Sequence, residues 1–145
     1  MRTNFTVRLS IATLAILLMQ PFTILGQWTR TSGPEGGIIH TLVADGNDLF
    51  AGTSYGVYRS RDNGVRWEAL STDMTDPRIQ SLVVLDGILF AGTQGGGVCR
   101  SANGGQSWSA VNSGLTSPYV QALAASGDLI IVGTQSGGGQ PGLSG

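Results

Sequence analysis

The chain has 145 residues, 41% hydrophobic and 12% charged, with 23 glycines and a formal net charge of −1, an ordinary globular composition rich in turns. All eight basic residues are arginines, and two of them fall in the first 26 positions, so six remain beyond that point against nine carboxylates. This balance excludes nucleic acid as a partner, which demands a clustered basic face, and the single cysteine, Cys99, excludes an internal disulfide.

Residues 1–26 read as a secretory signal peptide. Arg2 and Arg8 flank a short polar start, Ile11 to Met19 is a mostly aliphatic run, and Gly26 offers a small residue for cleavage before Gln27. The competing reading is an anchoring transmembrane helix, but the apolar run is shorter than the roughly 20 residues that a span needs. The expected product is a secreted, periplasmic or cell-envelope protein with no stable membrane span.

From Gln27 onward the chain repeats itself. Ile39-His40-Thr41-Leu42 returns as Ile79-Gln80-Ser81-Leu82 and again as Val120-Gln121-Ala122-Leu123. Leu49-Phe50-Ala51-Gly52-Thr53 returns as Leu89-Phe90-Ala91-Gly92-Thr93 and as Ile130-Ile131-Val132-Gly133-Thr134, while Trp28, Trp67 and Trp108 form a third series. Three markers keeping one period of about 40 residues define a repeat architecture. Within a period the runs are short and β-branched or aromatic, separated by turns such as Asp45-Gly46-Asn47, Ser54-Tyr55-Gly56 and Asp62-Asn63-Gly64. The pattern predicts four strands in the first unit, over 38–44, 48–53, 56–60 and 66–70. Ile38, Ile39, Leu42 and Val43 make the innermost strand apolar on both faces, as expected if a neighbouring sheet covers each side. Four short strands per repeat is the unit of a β-propeller blade.

Between the third and fourth strands stand two related motifs, Ser60-Arg61-Asp62-Asn63-Gly64-Val65-Arg66-Trp67 and Ser101-Ala102-Asn103-Gly104-Gly105-Gln106-Ser107-Trp108. Gly64 and Gly105 supply positive φ for a turn, and Asp62 or Asn103 is expected to bond the backbone two residues on. Ser60 and Ser101 can add a hydroxyl bond. Trp67 and Trp108 leave the turn as apolar anchors, each able to bury about 200 Å² against the adjoining sheet.

These residues resemble the Asp-box, or bacterial neuraminidase repeat, whose pattern is Ser-x-Asp-x-Gly-x-x-Trp. The first copy matches at every specified position, and the second departs at Asn103. With the surrounding Leu-Phe-Ala-Gly-Thr and Gly-Val-Tyr-Arg-Ser, residues 28–138 look most like the propellers of photosystem II assembly-factor-like proteins and of the sortilin family. The resemblance implies an all-β fold of four-stranded antiparallel propeller blades in which the box is a stabilising hairpin, and it implies a protein-binding or assembly role. Sialidases and other glycosidases share the box, so it is specific for fold and weak for activity.

A sialidase would need an arginine cluster, a tyrosine nucleophile and an assisting glutamate. The chain offers only Glu35 and Glu68, with Tyr55, Tyr58 and Tyr119 at repeat or loop positions and the aspartates in turns, so no catalytic residue is assigned. A glycoside hydrolase whose catalytic blades lie elsewhere, or a carbohydrate-binding propeller, remains the alternative. His40 fills a slot held by Gln80 and Gln121, and Cys99 takes the place of Tyr58 as a half-buried small hydrophobe, so both read as structural. The Asp45-Gly46-Asn47-Asp48 turn misses the calcium-loop spacing, and no metal or cofactor is expected. Arg59 and Arg100, each just before the box serine, would stack at the same height on adjacent blades, where they are candidates for binding an acidic partner. The competing reading has their stems packed on the blade edge and their heads in water.

Residues 27–138 hold two full units and two part-units, whereas a closed propeller has at least about four blades. The tail 139–145, rich in glycine with Pro141, is not a strand sequence. The expectation is a propeller that is incomplete as a single chain. Three explanations stand open: a gene fragment or frameshifted reading frame, a piece completed by other chains, or a free-standing open stack.

Overall fold

The structure is a computed structural model that describes residues 33–35, 37–70 and 73–135; the expected signal segment, Trp28 and the tail 139–145 lie outside them. The described residues form ten strands and no helix. The first unit contains β1 (Ile39–Asp45), β2 (Asp48–Thr53), β3 (Gly56–Ser60) and β4 (Glu68–Ala69), paired in that order as one antiparallel sheet. The second repeats it with β5 (Ile79–Leu85), β6 (Ile88–Thr93), β7 (Val98–Ser101) and β8 (Ser109–Ala110), and the third supplies β9 (Val120–Ser126) and β10 (Leu129–Thr134). Neither four-stranded sheet closes on itself.

The strand boundaries follow the sequence period closely. The fourth strand is the exception, with two residues where five are expected over 66–70, because Arg66 and Trp67 are held in the hairpin turn. In each unit the first strand carries a register shift near its start, at Ile39/Thr41, Ile79/Ser81 and opposite Gly133/Thr134. Beside it one backbone bond recurs three times: the amides of Ser54, Gln94 and Gln135 donate to the carbonyls of Ile38, Arg78 and Tyr119. The repeat is therefore one of backbone geometry as well as of sequence.

The sheets stack face to face through one close approach. On β2, Gly52 presents bare backbone to β5, and a Cβ there would meet Ile79 Cγ2 at 2.6 Å. On β6, Gly92 does the same for Val120 of β9, at 2.5 Å from Cγ1. A Cβ at either glycine would also meet its cross-strand neighbour at 2.6 Å, Thr41 Cγ2 for Gly52 and Ser81 Oγ for Gly92, so the glycine in Ala-Gly-Thr is a socket walled by its own sheet and filled by the first residue of the following unit. Ile79 and Val120 are fully buried as a result. The core between the first two sheets is made by Phe50, Val57, Leu70, Met74, Ile79, Leu82, Leu89 and Trp108.

Covering on both faces, expected for every sheet, holds only for part of the molecule. In the first unit Ile38, Ile39 and Leu42 are 69%, 41% and 64% exposed, because among the described residues no sheet lies on that side. Their counterparts Ile79 and Leu82 are buried.

Candidate functional site

The two hairpins have nearly superimposable bonding. Ser60 Oγ accepts the Gly64 amide proton at 2.8 Å and donates to Asp62 Oδ1 at 2.9 Å; Ser101 Oγ accepts from Gly105 at 2.9 Å and donates to Asn103 Oδ1 at 2.8 Å. Asp62 Oδ1 in turn accepts the Arg66 amide at 2.8 Å, and Asn103 Oδ1 accepts that of Ser107 at 3.0 Å. The expected bond from the acidic position to the backbone two residues on is thus replaced by one reaching four residues on, since the serine hydroxyl occupies the inside of the turn. Trp67 and Trp108 Nε1 donate to the carbonyls of Gly64 and Gly105, both at 3.1 Å.

Two consecutive residues take positive φ in each turn, Asn63 (56°) with Gly64 (85°) and Gly104 (64°) with Gly105 (83°). Asparagine tolerates this region better than most side chains, so Asn63 can stand where the second copy has glycine. Gly105 has a further constraint, because a Cβ there would collide with Leu70 of the preceding unit.

The motif serines have no spare capacity for chemistry. Each is buried, with its proton given to a carbonyl or carboxylate oxygen and its lone pair taken by an amide. A nucleophilic serine needs a general base that removes its proton, and neither serine bonds to one, apart from an Asp62 already engaged in the turn. The Arg66 amide, with help from the Ser60 hydroxyl and the Arg66 charge, holds Asp62 below the usual aspartate range, which keeps it an acceptor. Asn103 accepts in the same way and spends its extra donor on Ser107 Oγ at 2.8 Å. The pairs Asp62 with Arg66 and Asn103 with Ser107 are charged and neutral solutions to one turn.

The tryptophans differ in setting. Trp108 is 8% exposed and packs in the inter-sheet core with Leu70 and Met74, and its amide donates to both carboxylate oxygens of Asp73 from the preceding unit at 3.2 Å. Trp67 is only half-buried, at the margin of an open depression of about 380 Å³ with Leu42, Leu49 and Gly64 in its wall.

The two candidate arginines differ more sharply. Arg59 is 7% exposed. Its Nε donates to Glu68 Oε1 at 2.7 Å, its Nη1 lies 4.0 Å from Asp48, and the same nitrogen reaches across to the Gly104 carbonyl of the next hairpin at 3.5 Å. Arg61 leans on the same two carboxylates. Arg100 occupies the equivalent position on β7, but Ser109 stands opposite it where Glu68 stands opposite Arg59, and Ile88 replaces Asp48. It is exposed and forms no ion pair among the described residues. The paired ladder of free guanidinium groups therefore reduces to one: Arg59 ties two units together, and Arg100 alone faces water.

The remaining candidates have structural partners. His40 Nε2 lies 3.0 Å from Ser54 Oγ, a cross-strand pair that recurs as Gln121 with Gln135. Cys99 is buried rather than half-buried, and burial raises its thiol pKa. Asp76, which opens the turn into β5, bonds the Arg78 side chain and amide and is held below the usual range by them. Among the described residues no group of three or more His, Cys, Asp or Glu could hold a metal ion, and no helix is long and apolar enough to cross a membrane. The roles of Glu68 and Asp48 as partners of Arg59, and of Asp73 as acceptor of the Trp108 amide, are visible in no motif, and their signal lies in how the repeats differ. No protein-family model, curated protein or solved structure matches the chain.

Proposed function

We propose that this chain is a run of Asp-box β-propeller blades acting as a non-catalytic, protein-binding scaffold in a secretory or envelope setting. The support for the propeller reading is the socket repeated on β2 and β6, each of which takes the first residue of the next unit's first strand, so that successive antiparallel sheets stack in one direction. Further units would complete the ring.

The binding face is the rim that carries the hairpins, and its anchor is Arg100. A planar, always-charged guanidinium with no ion-pair partner among the described residues is suited to a carboxylate brought by another protein. Arg100, Asn103 and Trp108 line a shallow depression of about 220 Å³ that would seat such a side chain. The saturated bonding of Ser60 and Ser101 favours a structural use of the boxes over a catalytic one.

A photocrosslinking residue in place of Ala102, compared with one in place of Asn47 on the β1–β2 turn, tests this reading in cells. The expected result is a discrete protein adduct from the first position alone, lost on Arg100→Glu. Adducts that survive Arg100→Glu would remove Arg100 as the anchor. Turnover of fluorogenic sialosides or other glycosides by the purified protein, abolished by Glu68→Gln, would overturn the scaffold reading in favour of a hydrolase.

A further inference from the structure

The stacking rule has one use left over at each end. Ile79 fills the socket at Gly52 and Val120 fills the socket at Gly92. Ile39 holds the same place in the first unit and is 41% exposed, with no socket beneath it among the described residues. Gly133 holds the socket place on β10, and there a Cβ would meet nothing nearer than Ala122 of its own hairpin, at 3.5 Å.

The faces around the two positions match in the same sense. Residues that point toward the following unit lose cover along the chain: Phe50 is 1% exposed, Phe90 is partly buried, and Ile131 is 57% exposed. Residues that point toward the preceding unit gain it, from Leu42 at 64% to Leu82 at 7%. Among the described residues the chain thus carries an unused knob on one face and an unused socket on another, each of the kind it already joins twice internally.

We propose that a second copy of this chain covers these faces, head to tail, with Ile39 of one molecule seated on Gly133 of the next. The proposal rests on the stacked-repeat reading of the fold and does not depend on the role of Arg100. Such a contact is heterologous: it closes into a ring if the rotation per copy permits, and otherwise grows into a filament. Both faces are apolar, so association buries surface that isolated copies leave in water. The pairing is directional, because the knob and the socket lie on different sheets.

Sedimentation of the purified chain from about 1 to 100 μM tests it, with far-UV circular dichroism to establish folding. The expected wild-type result is concentration-dependent association. Ile39→Asp, which alters a half-exposed position, and Gly133→Val, which fills the socket, should each leave a folded monomer. Mixing the two variants should restore one contact and give a dimer that does not extend, since one copy keeps its socket and the other its knob. A folded wild-type monomer throughout the range would overturn the proposal while leaving the stacked-sheet reading intact. Association that survives both substitutions, or a mixture that yields no dimer, would also overturn it and point to a different face or to another repeat as the natural cover. Loss of β-sheet signal in the wild type would instead defeat the underlying fold reading.

Discussion

The first and second sheets are built from almost the same sequence and sit in different surroundings. Leu42 and Leu82 occupy one position of one motif, yet the first is 64% exposed and the second 7%. Trp67 and Trp108 make the same bond to their own turn, but among the described residues only Trp108 also meets side chains of a preceding unit, Leu70 and Asp73. The bonds inside each hairpin are set locally by Ser, Asp or Asn, Gly and Trp, whereas burial is set by whether another unit stands alongside. A repeat position therefore has no fixed energetic weight.

Substitutions at matched positions turn that difference into numbers. Trp108→Ala should be the most damaging, costing about 3–5 kcal/mol as expected for a buried aromatic, and Trp67→Ala clearly less. Thermal or denaturant unfolding of the two variants reads the gap, and equal losses would break the comparison. Next, Ile79→Ala should cost about 2–5 kcal/mol by emptying a filled socket, with Ile39→Ala in dilute protein below about 1 kcal/mol.

The hairpin serines provide the control in which the sheets should agree. Ser60→Ala and Ser101→Ala each leave the buried amide of Gly64 or Gly105 unpaired, at a cost of about 1–3 kcal/mol, and the two losses should be similar. A large disparity would mean that the turn bonds depend on inter-sheet packing after all.

The smallest expected effect separates the hairpins by charge. Asp62 has its pKa lowered in the fold, so the stability it contributes is present above the ordinary aspartate range and is lost as pH falls from about 4 through the depressed folded value. Asp76, lowered by Arg78, adds to the same acid limb. Asp62→Asn should flatten part of that limb and leave neutral-pH stability nearly unchanged, because Asn103 already serves in the equivalent turn. Unfolding midpoints measured from pH 2.5 to 7 check this, and an unaltered acid limb would remove Asp62 from the account.

Much of this arrangement is legible in the sequence. The 40-residue period places three of the first four strands to within a residue, and the box residues announce the hairpin. Strand pairing and turns are local consequences of period-two runs and positive-φ residues, and both can be read one unit at a time. The environments of Arg59 and Arg100 cannot be read so, because both precede a serine in the same motif and differ only through Glu68 against Ser109 across the strand and Asp48 against Ile88 nearby. The exposure of Ile39 is likewise invisible in its own motif. It depends on what lies beyond the sheet, which no intra-repeat pattern encodes. The reach of the Asp62 bond to Arg66 was missed for a different reason: the serine hydroxyl had already filled the turn.

The central claim is that units are joined by a side chain set on bare glycine, and a double-mutant cycle between Gly52 and Ile79 tests it most directly. Gly52→Ala, Ile79→Ala and the double variant would be compared by equilibrium denaturant unfolding. If Ile79 rests on Gly52, the cost of Gly52→Ala should fall by about 1 kcal/mol or more once Ile79 has been shortened to alanine. Costs that add to within about 0.5 kcal/mol would show that the two residues do not meet, and the stacking account would fail.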